Sequence, residues 1–178
     1  MKRKIAIFLL FFLFSALFSY EQKFFILPSE SKQALNSVLK ELKLAKKEIK
    51  ISIYNFTHKK IAKTLKNIAK KGIKVKIIFD YESSKKRKTK SMLYYLAKYK
   101  NIECYQIRGK YVKKKDYFAK MHQKIVVIDN KVLIFGSANW SYSGFGKNYE
   151  VVFILKDPKI ARKYSIFFDN LIKKATKY

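Results

Sequence analysis

The chain has 178 residues, of which 41 are Lys or Arg and only 12 are Asp or Glu, and its formal net charge at pH 7 is +29. A charge of this size favours a polyanionic partner, with nucleic acid first and an anionic membrane surface second. The single cysteine, Cys104, excludes an internal disulfide and a cysteine-based zinc site.

The N-terminal segment differs from the rest of the chain. Three basic residues, 2–4, precede an apolar run from Ile5 to Phe18. This run is shorter than the ~17–25 residues that a membrane-spanning helix needs, and it is typical of a signal peptide. Because Leu17 is larger than the small residue preferred at a cleavage site, an uncleaved membrane anchor is the alternative. We therefore predict an exported protein, periplasmic, membrane-associated or secreted, with residues 1–19 as signal or anchor and 20–178 as one domain.

The remaining chain alternates short apolar segments with amphipathic ones. The pattern predicts helices from Ser29 or Ser31, either of which can be the cap, to about residue 47, over 58–71 and over about 89–99, with a last helix opening at Pro158. It predicts strands at 24–27, 49–56, 73–79, 103–107, 124–128, 132–135 and 149–155. Strand, helix and strand in this order imply a right-handed parallel crossover. The predicted fold is α/β, a mixed β-sheet flanked by helices on both faces.

Two basic segments interrupt this pattern. The first, 84–90, is predicted to be a solvated connector that also attracts phosphates. The second mixes cations with aromatic rings, which can stack on bases while lysines follow the phosphate backbone. Its candidate contacts with nucleic acid are Lys110, Tyr111, Lys113, Lys114, Lys115 and Tyr117. The alternative is that Tyr111, Tyr117 and Phe118 pack into the core.

Most of the chemistry-bearing residues lie between positions 121 and 140. His122 and Lys124 are two residues apart, so on a strand both side chains point to the same face. A lysine neutralises phosphate charge, and Ser137 and Asn139 can donate hydrogen bonds to its oxygens. A neutral histidine can attack phosphorus or transfer a proton near neutral pH. The set indicates a site for a tetrahedral anion, and no acidic cluster in the sequence suggests a metal or another cofactor.

The spacing His122-x-Lys124-x4-Asp129-x6-Gly136-Ser137-x-Asn139 is similar to the HKD motif of the phospholipase D superfamily. Glu150 lies where its small Nuc-type bacterial endonucleases carry an acidic residue, and the resemblance covers roughly residues 24–174. It implies the superfamily's sandwich fold and a phosphate held by Lys124, Ser137 and Asn139. The implied catalytic set is His122, Lys124, Asp129 and Glu150. Within this set, Asp129 lies in a tight turn with a structural or supporting role expected, and Glu150 is expected to accept a hydrogen bond from His122 Nδ1.

The superfamily's chemistry uses two histidines, whereas this chain carries one motif. His58-x-Lys60 repeats part of it, but Leu65, Ile73 and Val75 occupy the positions of Asp, Ser and Asn. His58 is therefore interpreted as a residue of a helix's first turn, with a substrate contact as the alternative. The simplest resolution is a two-fold homodimer that brings two copies of the motif together. One His122 would attack phosphorus, and the other would protonate the leaving oxygen and then activate water.

The resemblance implies phosphodiester chemistry but does not choose the substrate. The charge, the small size and Glu150 favour an exported, metal-independent, sequence-nonspecific nuclease that cleaves DNA or RNA through a phosphohistidine. The apolar N-terminus favours a phospholipase D acting on membrane phospholipids. A nucleic-acid-binding protein of the cell envelope, for instance in DNA uptake, is the third hypothesis.

Overall fold

The computed structural model describes residues 21–178, so the predicted signal or anchor segment lies outside the described residues. Six α-helices lie in this range: α1 (Ser31–Lys43), α2 (Lys59–Lys70), α3 (Tyr81–Lys86), α4 (Leu93–Leu96), α5 (Tyr142–Gly146) and α6 (Pro158–Ile172). The strands of the same range are β1 (Gln22–Leu27), β2 (Glu48–Ile53), β3 (Lys74–Asp80), β4 (Ile102–Ile107), β5 (Tyr111–Val112), β6 (Tyr117–Phe118), β7 (Lys124–Ile128), β8 (Val132–Gly136), β9 (Glu150–Leu155) and β10 (Thr176–Lys177). None of these helices combines the length and apolar character needed to span a bilayer.

One large sheet organises the domain. Its strand order is β1-β9-β8-β7-β2-β3-β4-β10, and β5 pairs only with β6 as a separate hairpin. β2, β3 and β4 are parallel, whereas β7, β8, β9 and β1 pair antiparallel. The connection from β2 through α2 to β3 has the predicted parallel pairing, and the sheet is mixed as expected.

Helices cover both faces of the sheet. α1 and α2 bury one face in a large core that includes Val38, Leu65 and Ile51, and each such side chain contributes roughly 1.5–3 kcal/mol when fully buried. α6 covers the other face through Ala161 and Phe168. The predicted layer arrangement is therefore confirmed.

The central strand β2 is buried on both faces, although its sequence alternates apolar and polar residues. Lys50 points toward α6, where its Nζ donates to Ser165 Oγ at 2.8 Å and to Asp169 at 2.7 Å. A buried charge is tolerated only when it is paired and hydrogen-bonded. The alternation in β2 therefore reflects two different buried faces. One face packs in the apolar core, and on the other Lys50 makes these polar contacts with α6.

Three local predictions are wrong. Neither Ser29 nor Ser31 caps α1; both hydroxyls donate to backbone carbonyls, and Glu30 is the N-cap without a side-chain bond. The helix predicted at 89–99 is reduced to the short α4. The supposed connector at 84–90 begins inside α3, whose N-terminus is capped by Asp80.

One end of the sheet gathers the residues that follow or precede several strands. Ile53 of β2 pairs with Lys124 of β7, Gly136 of β8 with Val152 of β9, and Leu27 of β1 with Glu150. The ends of β2, β3 and β8 therefore meet the starts of β7 and β9 at one edge. The β7–β8 turn and the starts of β2 and β3 lie at the opposite end.

Candidate active site

His122 and Lys124 form the centre of the site at the start of β7. Lys124 Nζ lies 3.0 Å from both ring nitrogens of His122 and donates to the His122 carbonyl oxygen at 2.9 Å. An ammonium group can only donate, so this contact requires a ring nitrogen with a free lone pair. The geometry therefore fits a neutral imidazole.

Partial desolvation and neighbouring lysines favour the neutral form of His122. Desolvation lowers the pKa of His122 below its ordinary value, and Lys124 and Lys120 lower it further. Asp80 and Glu150 act in the opposite direction. Desolvation also lowers the pKa of Lys124, which is 7% exposed. A neutral imidazole beside a partly desolvated cation suits nucleophilic attack on a phosphate.

Two residues that the sequence did not single out hold His122 in place. Asp80 is 1% exposed at the end of β3, and its Oδ2 accepts a hydrogen bond from the Met121 backbone at 2.9 Å. Tyr54 follows β2, and its ring centroid lies 4.5 Å from that of His122 at an angle of 57°. Its backbone N–H donates to Gln123 O at 2.8 Å. The chain on both sides of His122 is thus anchored to β2 and β3.

Ser137 is positioned by an unusually close approach of two strands. A Cβ atom on Gly136 would lie 2.1 Å from Val151 O, so no other residue fits there without separating β8 from β9. Ser137 then exchanges two hydrogen bonds with Val151, one through its backbone N–H and one through Oγ, which accepts from Val151 N at 3.1 Å. Because Oγ only accepts in this contact, its proton remains available to a phosphate oxygen.

The segment after β8 places Asn139. Trp140 forms a parallel bridge with Phe56, and its carbonyl accepts from Thr57 and His58. The Oδ1 atom of Asn139 is buried without a hydrogen-bond partner among the described residues. An orphaned buried polar atom is costly and occurs in few places in a native fold. An amide oxygen can only accept, so within this side chain it is Nδ2 that can donate to the phosphate that Asn139 was predicted to bind.

Glu150 begins β9 beside this group. Its Oε1 accepts from Asn148 Nδ2 at 3.4 Å, and within residues 21–178 of one chain it makes no hydrogen bond to His122. Its charge nevertheless raises the pKa of both His122 and Lys124. The expected bond to His122 Nδ1 therefore stays a prediction, whereas the electrostatic effect is already present.

Asp129 is not brought to this centre. It ends β7 in a turn where it and Asn130 have positive φ angles of 52° and 56°. Its carboxylate accepts three backbone N–H groups, from Lys46, Lys47 and Glu48, at 2.7–2.9 Å. Five residues of β7 separate it from His122, a span of roughly 17 Å. Its contacts hold the α1–β2 connection against the turn. Asp129 was included in the predicted catalytic set, but the structure places it away from His122.

His58 does not supply a second histidine within the chain. It is the N-cap of α2 and its side chain is 2% exposed. Its ring stacks on Tyr142, with centroids 4.3 Å apart, and lies edge-on to Phe145. Burial lowers the pKa of His58. The alternative of a substrate contact is therefore wrong for this conformation.

The basic aromatic segment forms a hairpin beside the site, which we call the 110–118 hairpin. Tyr111 and Tyr117 lie on its two strands, a 3₁₀ turn of three lysines (113–115) joins them, and all six candidate contact residues are exposed. The alternative of core packing is wrong, since Tyr111, Tyr117 and Phe118 are 45%, 48% and 43% exposed. Arg108 stacks on Tyr81 at 3.5 Å and approaches Phe118 at 5.1 Å, which adds a cation to the base of the hairpin.

A neutral imidazole, a buried ammonium, a free hydroxyl proton and the side-chain amide of Asn139 thus come from elements that meet at one sheet edge. These are the groups that in-line displacement at a phosphodiester requires: a nucleophile, and donors for the non-bridging oxygens. The fold and this site define a phosphodiesterase.

The chain belongs to the phospholipase D-like family. The family model described as cardiolipin synthase, PLD-like domain, matches residues 38–172. Among solved structures, NucT from Helicobacter pylori is 37% identical with a TM-score of 0.86, and the match covers 90% of this chain and all of NucT. Nuc from Salmonella typhimurium, a phospholipase D family member, has the same fold at 24% identity and a TM-score of 0.76, over 90% of this chain and 99% of Nuc.

Curated relatives include the mitochondrial cardiolipin hydrolase of Chlamydomonas reinhardtii, which is 27% identical over 143 residues, or 80% of this chain. The matched region covers 59% of that relative's length. The family is therefore established, and of these proteins only the cardiolipin hydrolase carries a substrate in its name.

Proposed function

We propose that this phosphodiesterase is a sequence-nonspecific nuclease that acts on DNA or RNA outside the cytoplasm. The observation that carries the proposal is the 110–118 hairpin, which displays exposed lysines and tyrosines four residues before His122. Tyrosines can stack on any base, and lysines bind phosphates without reading sequence. The likeness to NucT and the net charge of +29 support the same substrate class.

The proposed reaction has two displacements at phosphorus. His122 Nε2 attacks, the bond from phosphorus to the leaving oxygen breaks, and a second histidine donates a proton to that oxygen. The same histidine then takes a proton from water, which attacks the phosphohistidine and restores free His122. Lys124, Ser137 and Asn139 hold the non-bridging oxygens during both steps. Glu150 would fix the tautomer of His122 by accepting from Nδ1–H.

The second histidine is proposed to be His122 of a partner subunit. An exposed apolar surface supports this pairing, because it lies on the sheet next to the strands that carry Ser137 and Glu150. Phe24, Ile26 and Phe135 are 53%, 54% and 37% exposed there. The ring of Phe153 bridges Phe24 and Phe135, with centroid distances of 5.9 and 5.1 Å. A contiguous apolar patch of this kind is typical of an interface.

We propose that no divalent metal takes part. The carboxylates that influence His122 are Asp80 and Glu150. Both oxygens of Asp80 already accept backbone N–H groups, from Ser83 and Met121. The negative charge of the phosphate is instead neutralised by the ammonium group of Lys124, which also donates hydrogen bonds to its oxygens.

The test compares purified wild-type protein with His122→Ala on single-stranded DNA, plasmid, RNA and cardiolipin vesicles, each with and without EDTA. We expect the wild type, and not the variant, to cleave nucleic acid in EDTA. A higher kcat/KM on cardiolipin than on every nucleic acid would contradict the proposed substrate. Loss of nuclease activity in EDTA, restored by Mg²⁺, would contradict the metal-free mechanism.

A phospholipase is the second candidate. It is favoured by the cardiolipin-related description of the family model and by the curated relatives named cardiolipin hydrolase. The vesicle arm of the same experiment decides between the two.

A further inference from the structure

A second basic surface lies at the end of the sheet opposite His122. A groove of about 710 Å³ runs between the C-terminal parts of α1 and α2. It is lined by four lysines, together with aliphatic and small polar residues: Lys43, Ala45, Lys46, Thr64, Asn67, Ile68, Lys70, Lys71 and Ile73. We call it the α1–α2 groove. It is far larger than the space needed for an ordered ion.

The lysines of the α1–α2 groove form no ion pair in the part of the chain that the structure describes. The Asp129 carboxylate borders this region, but it accepts the backbone N–H groups of residues 46–48 and pairs with none of the four ammonium groups. Lys43, Lys46, Lys70 and Lys71 are exposed, and none of them takes part in an ion pair there. The segments that supply them, 43–47 and 59–76, contain no acidic residue. Like charges facing one another across a concave surface repel, and an anion between them relieves that repulsion.

Helix ends explain only part of this arrangement. Lys43 and Lys70 lie in the last turns of α1 and α2, where a cation interacts favourably with the helix dipole. Lys46 and Lys71 follow the last helical residues, and the dipole effect is confined to the last turn. The helix dipole also does not explain why the lysines at the ends of two different helices line the same groove.

The shape and lining of the groove indicate the kind of anion. A concave surface accepts a narrow strand, whereas a flat bilayer contacts protruding residues and favours aromatic anchors at the interface. No aromatic side chain lines the groove. Its aliphatic floor of Ala45, Ile68 and Ile73 can contact bases while the lysines on both walls contact phosphates. The side chain of Asn67 offers an amide donor at the same surface.

We propose that the α1–α2 groove is a second binding site for the phosphate backbone of single-stranded nucleic acid, separate from the catalytic centre. The six residues of β2 lie between the groove and the site, a separation of roughly 20 Å. A strand long enough to occupy both positions would be held while one of its phosphates is cleaved. This inference rests on the proposed nuclease function and adds to it a preference for long substrates.

The test uses two quadruple variants of equal charge change in the full chain. The groove variant carries Lys→Ala at positions 43, 46, 70 and 71, and the control carries Lys→Ala at the exposed positions 159, 163, 173 and 174 of the α6 region. Binding is measured in a His122→Ala background by fluorescence anisotropy at several salt concentrations. The probes are DNA strands of 4 and 30 nucleotides, about 14 and 100 Å long at ~3.4 Å per nucleotide.

We expect the groove variant to bind the 30-nucleotide strand about tenfold or more weakly, with a salt slope smaller by up to about 0.7 per lost contact. Its affinity for the 4-nucleotide strand, which cannot occupy both positions at once, should fall much less. With His122 restored it should hydrolyse bis(p-nitrophenyl) phosphate at the wild-type rate. The control should lose less than about threefold on the long strand, because scattered surface charges act only through screened attraction.

Equal losses in the groove and control variants would overturn the proposal, since they would reflect net charge alone. Unchanged binding of the long strand, with lost binding to phosphatidylglycerol vesicles, would reassign the groove to a membrane surface. If the wild type hydrolyses the p-nitrophenyl diester but no DNA or RNA of any length, the nuclease proposal itself fails. The last outcome is distinct, because it appears in the unmodified chain.

Discussion

At the level of single residues, neighbouring charges of both signs act on the pKa of His122. Lys124 and Lys120 lower its pKa, while Asp80 and Glu150 raise it. A nucleophilic histidine must be neutral, so the rate should fall at acidic pH along a limb whose apparent pKa lies below the ordinary 6.5. In a dimer this apparent pKa belongs to the coupled pair of histidines.

Lys120→Ala tests the direction of this effect. Lys120 is exposed, and its Nζ lies 5.7 Å from the ring centre of Tyr54, against which His122 packs. Removing its charge lets the pKa of His122 rise, so the acidic limb of kcat/KM should move to higher pH by a few tenths of a unit. The shift should shrink at high salt, and Lys174→Ala should produce none. A shift to lower pH would reject this electrostatic account.

Asp129 is a motif residue whose observed contacts all hold the backbone of residues 46–48. Asp129→Asn keeps a side chain that tolerates positive φ but loses the charge and one acceptor for the N–H groups of Lys46, Lys47 and Glu48. We expect a loss of about 2–3 kcal/mol in the free energy of unfolding, measured by urea denaturation. Hydrolysis of a small diester below the transition should stay near the wild-type rate. A large fall in kcat with unchanged stability would place Asp129 in the chemistry.

His122, Lys124, Ser137 and Asn139 were predicted as site residues because their spacing matches a known motif, and Glu150 from the same family resemblance. The structure places them at or just beyond the ends of β7, β8 and β9. The sequence did not predict Asp80 and Tyr54, which reach His122 from β3 and β2. Asp80 contacts a backbone group 41 positions away, and no periodicity within one segment encodes such a contact. The one available signal was their position, Asp80 at the end of one buried strand and Tyr54 just after another, since polar residues at strand ends often line a site.

At the level of elements, the 110–118 hairpin is the part of the fold best placed to contact substrate next to His122. Tyr117→Ala removes a ring that is 48% exposed. Stacking of one base contributes about 1–3 kcal/mol, so binding of single-stranded DNA should weaken about 5- to 150-fold. Hydrolysis of bis(p-nitrophenyl) phosphate should change little, because that substrate does not extend to the hairpin.

The matched control is Tyr178→Ala, which removes another exposed ring at the C-terminus. It should leave DNA binding unchanged. Equal affinity of the wild type and Tyr117→Ala for single-stranded DNA would remove this tyrosine from the proposed interface.

Strands were easier to predict than the short helices. β7, β8 and β9 are short, continuous apolar runs bounded by turn residues. Pro158 at the first position of α6 marks that helix. The region 81–99 lacks such signals, because its lysines suit a helix and a loop equally well. In the structure, the Asp80 carboxylate accepts a hydrogen bond from the Ser83 N–H and so caps the N-terminus of α3, which favours a helix over a loop at this point. The pairing of β5 with β6 also escaped detection, since each strand is two residues long.

At the level of the whole molecule, a single chain holds one histidine at the candidate site. If both essential histidines are His122, one from each subunit, a mixed dimer of wild type and His122→Ala has no competent site. With random pairing, activity should follow the square of the wild-type fraction, so about a quarter should remain at equal amounts. Independent monomer sites would leave about half.

The measurement is co-expression of differently tagged chains, with nuclease rate plotted against the wild-type fraction determined by mass. Random pairing is first verified from the tagged species. A straight line through the origin would mean that each chain works alone. Introducing a charge at Phe24, in the exposed apolar surface, should in parallel reduce both dimer formation and activity.

The burial of Lys124 has a consequence for the stability of the empty enzyme. The residue is 7% exposed, and no carboxylate in residues 21–178 forms an ion pair with its ammonium group. The fold therefore holds a charge whose burial is unfavourable until an anion arrives, so part of its stability is given up for function. Lys124→Met should melt at or above the wild-type temperature while losing turnover by about a hundredfold or more. Inorganic phosphate should raise the melting temperature of the wild type but not of Lys124→Met, as measured by calorimetry, because only the wild type gains a counter-charge on binding.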